Sequence, residues 1–302
     1  MDRLFSALVT GVVQGSMIAL VALGYSMVYG VLKLINFAHS EIFMMAAYFG
    51  LFLVTFFLGR FGVDVNTAHG SMLAILAVVL GTFFAMVGAS ILGVTVERAA
   101  YKPLRGRRKG PLTRITPLVT ALGVSVFLQN LAQFLFTARF RPYPHAIERT
   151  RPVIFVAAVV VMVVLELVVK YTWYGKAMRA LATNEEAARL MGIRTGRVIA
   201  VTFSIGSSLA ALGAVLFCLD QSLVYPTMGV TIGTKAFVAA VLGGIGSIPG
   251  AMLGGILIGV LGEMVKLTDY SGGVDVLVFV VLIAVLLVRP SGLLGSTKAE
   301  KV

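Results

Sequence analysis

The chain has 302 residues, 59% of them hydrophobic and only 13% charged, with a net charge of +12. An ordinary soluble domain is excluded, since roughly a quarter of its residues would be charged. The positive charge does not point to nucleic acid, because Lys and Arg cluster in connections between long apolar runs, where the positive-inside rule accounts for them.

Several runs approach or exceed the roughly 20 apolar residues needed to cross a bilayer. The expected fold class is therefore all-α, a polytopic helical membrane protein forming one transmembrane bundle over residues 1–302. The first run covers 4–29. Its apolar pattern continues past any plausible cleavage site, which argues for a retained span rather than a signal peptide. Gly11 and Gly15 give it a small-xxx-small spacing for close helix approach. The run breaks at 30–40, where Lys33, Asn36 and His39 interrupt it, and a second span follows over 41–58. A third covers 71–96. The connection 97–114 is the most basic, with seven Lys or Arg against one Glu, and is expected in the cytoplasm.

A fourth span is expected over 117–137 and a fifth over 153–169. The loop between them, 138–151, carries four Arg yet falls outside by alternation, against the charge rule. The next connection, 170–197, holds six basic and two acidic residues. Within it, 182–193 reads ATNEEAARLMGI. Thr183 or Asn184 can cap a helix there, Glu185 and Glu186 suit its first turn, and Gly192 suits its end. Ala187, Ala188, Leu190 and Met191 give it an apolar side. An ordinary amphipathic connector is the plain alternative. The sixth span covers 198–219 and contains the single cysteine, Cys218, read as a small packing residue. A polar loop is expected over 220–233.

The seventh apolar piece, 234–245, has a length of about 18 Å, too short to cross alone. The eighth, 250–267, carries two GxxxG spacings, Gly250 with Gly254 and Gly255 with Gly259, expected at helix contacts. The ninth is 274–288, followed by a basic tail. About nine crossings (eight to ten) result. Nine place the N-terminus outside, the C-terminus in the cytoplasm, and 17 of the 25 Lys and Arg inside. In the eight-crossing alternative, 234–245 or the 30–40 break is re-entrant. Residues 30–50 and 222–244 share an order of polar break, small residues, short apolar helix and Gly. That order reads as an inverted repeat with broken helices, a pointer to a translocation path; chance likeness of two Gly-rich segments is the alternative.

Asn36, His39 and Glu41 form the densest polar cluster near an apolar run. Ionisable groups inside a membrane are costly and usually functional, so a pathway role is weighed against a surface helix cap, with Asn36 or Ser40 capping and Glu41 in the first turn. His39 and Glu41 alone make a poor metal site. Lys235 is read as snorkelling to the outer interface or meeting a substrate carboxylate. No P-loop pattern, catalytic triad or zinc spacing occurs, so no catalytic, metal or cofactor site is expected in this chain. A self-sufficient carrier or channel is a second function class at this point.

Three stretches carry a resemblance: 24–41, GYSMVYGVLKLINFAHSE; 192–203, GIRTGRVIAVTF; and 236–255, AFVAAVLGGIGSIPGAMLGG. Together they resemble the LivH-type permease of high-affinity branched-chain amino acid ABC transporters, over roughly 11–295. Glu186, Ala187, Ala188 and Gly192 resemble the EAA loop by which such permeases dock on an ATPase. Ser40 departs from the family's usual glycine in NFAHGE, which puts that turn in question. The resemblance implies a non-enzymatic permease subunit of the bacterial inner membrane. Its expected partners are a second, LivM-type permease, two ATPase subunits that hold ATP and Mg, and a periplasmic amino-acid-binding protein. Urea, another amino acid or a sugar is the alternative cargo within the superfamily.

Overall fold

A computed structural model of the chain describes residues 2–63, 72–104, 112–144, 150–268 and 271–295. Nine apolar helices lie among them. Six are long: α1 (Asp2–Leu32), α2 (Ala38–Arg60), α3 (Met72–Val96), α4 (Leu112–Phe136), α5 (Thr150–Tyr171) and α8 (Thr195–Gln221). A seventh, α10 (Ile248–Lys266), is also long enough to cross, while α9 (Met228–Gly243) and α11 (Val274–Val288) are shorter. Two hydrophilic helices, α6 (Trp173–Thr183) and α7 (Glu185–Leu190), sit between α5 and α8.

The core is built by small residues, because apolar burial alone does not drive association among helices already in lipid. α1 stands at the centre. A Cβ on Gly15 would fall 2.6 Å from the Ile256 backbone, and one on Gly259 2.3 Å from that of Gly15, so α1 and α10 touch backbone to backbone. Gly255 meets Ala19 in the same seam, whereas Gly250 and Gly254 meet Gly243 and Ala239 of α9. The two spacings on α10 thus serve two neighbours. Gly206 of α8 lies against Gly24 of α1, and Gly93 of α3 against Ser207 of α8. α4, α5 and α11 are peripheral and turn Phe127, Phe134, Val160 and Leu287 outward.

Contacts between helix ends sort the connections onto two faces. On one, the Leu293 and Leu294 amides donate to the Leu242 and Gly243 carbonyls, and Gly246 donates to Ser26 Oγ at 2.9 Å. The ends of α1, α9 and α11 therefore meet there with the start of α10. On the other face the loop after α4 and the turn after α8 form a short antiparallel ribbon, β1 (Arg141–Pro142) with β2 (Leu223–Val224). Arg151 and Asp220 approach to 3.9 Å beside it. Burial holds the Tyr143 phenol well above its ordinary pKa.

Three expected boundaries change. α9 begins at Met228, inside the stretch read as a polar loop, because Thr234 satisfies its hydroxyl on the Val230 carbonyl and Gly229 and Gly233 pack closely. Its 16 residues span about 24 Å, still short of the roughly 30 Å hydrocarbon core. The connection after α3 stays helical as a π-turn, Glu97–Tyr101, and a 3-10 turn, Lys102–Leu104. Arg105, Arg107, Arg108 and Lys109 lie outside the described residues. The 170–197 connection holds two helices instead of one, since Asn184 is extended at φ −156° and separates α6 from α7.

Candidate functional site

The break between α1 and α2 is short. Lys33 turns the chain with a left-handed φ of 55°, and α2 starts at Ala38. Neither Asn36 nor Ser40 caps α2, contrary to the surface-cap reading. The N-cap position is Phe37 and receives no side-chain bond, while Ser40 Oγ donates to the Phe37 carbonyl at 2.8 Å. Asn36 Oδ1 instead accepts from the Tyr101 hydroxyl at 2.7 Å. Residue 40 is helical, so its serine has no left-handed turn to strain. The close approach falls on Gly233, where a Cβ would lie 2.2 Å from Ser40 Cβ.

The cluster is interior. Asn36, His39 and Glu41 are buried, Glu41 completely. His39 packs edge-on against Tyr25, with ring centroids 4.8 Å apart, and its ring donates to the Val21 carbonyl. Its Nε2 occupies the space a side chain on Gly24 would need. Gly24 lies six residues before Gly30, whose Cα faces Gly246 at the helix ends, so His39 sits about 9 Å inward along α1. The Glu41 carboxylate lies against Gly229 in the first turn of α9, with Ser40 and Ser125 of α4 alongside. Among the described residues, no hydrogen bond reaches Asn36 Nδ2, His39 Nε2 or either Glu41 oxygen. A buried carboxylate is costly unless paired or wet. Glu41 faces the N-terminus of a helix that starts short of the bilayer's full thickness, where the backbone dipole favours an anion.

Here the two similar segments meet. Ser40 opposes Gly233 and Glu41 opposes Gly229, so the starts of α2 and α9 run antiparallel side by side. Lys235 is not brought into the cluster. It turns toward α11 and pairs with Asp275 at 3.1 Å. No group of three or more potential metal ligands occurs among the described residues. Sequence reasoning missed Tyr25 and Tyr101. Tyr25 was visible inside the 24–41 stretch, whereas Tyr101 was hidden in what looked like a basic loop.

α7 forms the second part of the site. Asn184 Oδ1 accepts from the Ala187 amide at 3.0 Å, with Glu185 and Glu186 in the first turn. At the other end Gly192, at φ +82°, donates to Arg189 and Ile193 donates to Ala188, the paired bonds of a Schellman stop. The apolar residues do not share one side. Ala188 is buried, whereas Leu190 and Met191 are 89% and 83% exposed at the tip.

An α-helical bundle in which two helix starts meet at a buried carboxylate, with a capped hydrophilic helix at one face, defines a membrane permease domain. The chain belongs to the family described as branched-chain amino acid transport system / permease component, which matches residues 7–287. It is 39% identical to the high-affinity branched-chain amino acid transport system permease protein LivH of Escherichia coli K12, over 97% of this chain and 96% of that one. It is also 39% identical to BraD of Pseudomonas aeruginosa, a permease protein of the same description, over 98% and 97%. The ribose import permease protein RbsC of Bacillus subtilis is 32% identical over 46% of this chain and 45% of its own. No solved structure matches the chain.

Proposed function

We propose that this chain is the permease subunit of an ATP-driven importer that carries leucine, isoleucine and valine across the bacterial plasma membrane. The observation that carries the reading is the end-to-end likeness to permeases named for that transport, joined to a capped helix with an exposed tip. The translocation path runs beside the α1–α2 break. α7, from Asn184 to Gly192, is the coupling helix, seated in an ATPase subunit with Leu190 and Met191 as apolar anchors. The partners are a second, LivM-type permease, two ATPase subunits that hold ATP and Mg, and a periplasmic binding protein. The face bearing α7 and the C-terminus is cytoplasmic, in keeping with its basic residues.

A route for movement starts at α7. α7 leads directly into α8, and α8 is tied to α3 by the Ser90–Ser204 hydroxyl pair and by Gly93 packed on Ser207. α3 ends in the π-turn whose Tyr101 holds Asn36. A displacement of α7 is thus delivered at the α1–α2 break, which suits domain-scale alternating access. The test is uptake of labelled leucine by cells with and without the chain. Loss of uptake on deletion, recovery on re-expression and abolition by ATP depletion are expected. Undiminished uptake after ATP depletion would instead indicate a self-sufficient carrier.

A further inference from the structure

On the α7 face, between the π-turn that ends α3 and the start of α8, lies an open cavity of about 760 Å³. Its wall is strongly cationic. Arg98, Lys102, Arg189, Arg194 and Arg197 line it, and Glu97 is the single carboxylate among its lining residues. All five cations are exposed. None of them forms an ion pair among the described residues. The floor is different in kind. Val94, Ile193 and Val201 make it apolar, and on α3 it leads to the outward-facing Val87 and Ile91. α8, 27 residues long, opens at this point with no side-chain cap from the described residues on its N-terminal amides.

Like charges crowded around one cavity repel, and an anion seated among them removes that repulsion while using the free helix amides. A water-soluble anion would need only the charged rim. The apolar floor, continuous with the exposed apolar face of α3 at Val87 and Ile91, asks for a ligand that is anionic at one end and apolar at the other. We propose that this cavity binds the phosphate headgroup of an anionic phospholipid, with Arg98, Arg194 and Arg197 as its principal contacts. Its position between α3 and α8 makes the bound lipid a wedge between the helices that join α7 to the α1–α2 break. The inference holds whatever solute the permease carries.

The test uses the full chain, purified with whatever subunits accompany it, in nanodiscs of phosphatidylcholine containing phosphatidylglycerol. Native mass spectrometry counts the retained lipid. Wild type should keep phosphatidylglycerol in preference to phosphatidylcholine. Each basic group near an anionic lipid contributes roughly a fivefold preference, so Arg98→Gln, Arg194→Gln and Arg197→Gln together should lower retention by on the order of a hundredfold. Removing Lys170, Lys176 and Arg289, on the same face outside the cavity, should leave it unchanged. Size-exclusion elution of each variant reports folding, and Arg194→Gln alone, at an exposed site, should still show a partial loss. Equal retention by wild type and the triple variant overturns the proposal. Displacement of the lipid by millimolar inorganic phosphate also overturns it, in favour of a free anion. So does loss of an associated protein with lipid retention intact, which would assign the cations to an acidic protein surface.

Discussion

Replacing Gly192 with Val separates docking from folding, because the structure supplies both magnitudes. Gly192 ends α7 at φ +82°, and no atom of the described residues lies within 4 Å of a Cβ built there. The cost within this chain is therefore backbone strain alone, about 1–2 kcal/mol for a side chain held in the left-handed region. That is roughly a 5–30-fold shift against the closed turn, enough to fray a six-residue helix and too local to unseat a bundle. Gly259→Ala is the contrasting control. Its added carbon would lie 2.3 Å from the Gly15 backbone, and two backbones in contact have no rotamer with which to relax. The assay is the yield and elution of tagged protein from membranes, the ATPase subunit recovered with it, and leucine uptake. Gly192→Val should accumulate at near wild-type levels and lose ATPase recovery and uptake together by about tenfold or more, equivalent to about 1.4 kcal/mol. Gly259→Ala should lower yield, recovery and uptake in proportion. If Gly192→Val combined with Glu186→Lys still recovers the ATPase and still supports uptake, α7 is not the docking helix.

Three other outcomes are expected. Tyr101→Phe keeps the ring packed on Phe203, with centroids 5.5 Å apart, but leaves Asn36 Oδ1 without its donor, at a cost of about 1–3 kcal/mol. Uptake should fall while ATP hydrolysis by the assembled complex continues, and a parallel fall in both would remove Tyr101 from the coupling route. Glu41→Gln keeps shape and replaces a buried carboxyl whose oxygens lack a hydrogen-bond partner among the described residues; thermal stability should hold or rise while uptake drops about tenfold or more, about 1.4 kcal/mol at the barrier. Normal uptake would mark the carboxylate as incidental. In a Cys218→Ala background, cysteine at position 194 should react only with permeant reagents in intact cells, and cysteine at 142 with impermeant ones. The reverse pattern would invert the assigned orientation.

The helices were legible where composition alone decides them. α11 runs from Val274 to Val288, the bounds that hydropathy gave, because every residue in it except Asp275 is apolar. Boundaries failed where polar or small residues are helical for reasons outside their own segment. Met228 to Gly233 reads as loop until Ser40 and Glu41 of α2 are placed against Gly229 and Gly233. Glu97 to Tyr101 reads as a basic loop until Tyr101 is seen reaching Asn36, 65 residues earlier. Local signals did carry α7, whose Asn184 cap and Gly192 stop are written in adjacent residues. Its apolar side was misjudged, since six residues make less than two turns, and Ala188 faces inward while Leu190 and Met191 project away.

The same distinction explains why Asn36, His39 and Glu41 looked like a cap. In sequence they begin a helix, and polar residues at a helix start are ordinarily caps at a surface. What sets them apart is depth, and glycines distant in sequence fix that depth. Gly24 makes room for His39, Gly229 for Glu41 and Gly233 for Ser40. A side chain at any of the three would push the start of α2 away from α1 or α9. The polar break is thus held inside the bundle by absences on neighbouring helices. Glu41 lies where the starts of α2 and α9 meet, so a displacement of either helix would alter what its carboxylate faces.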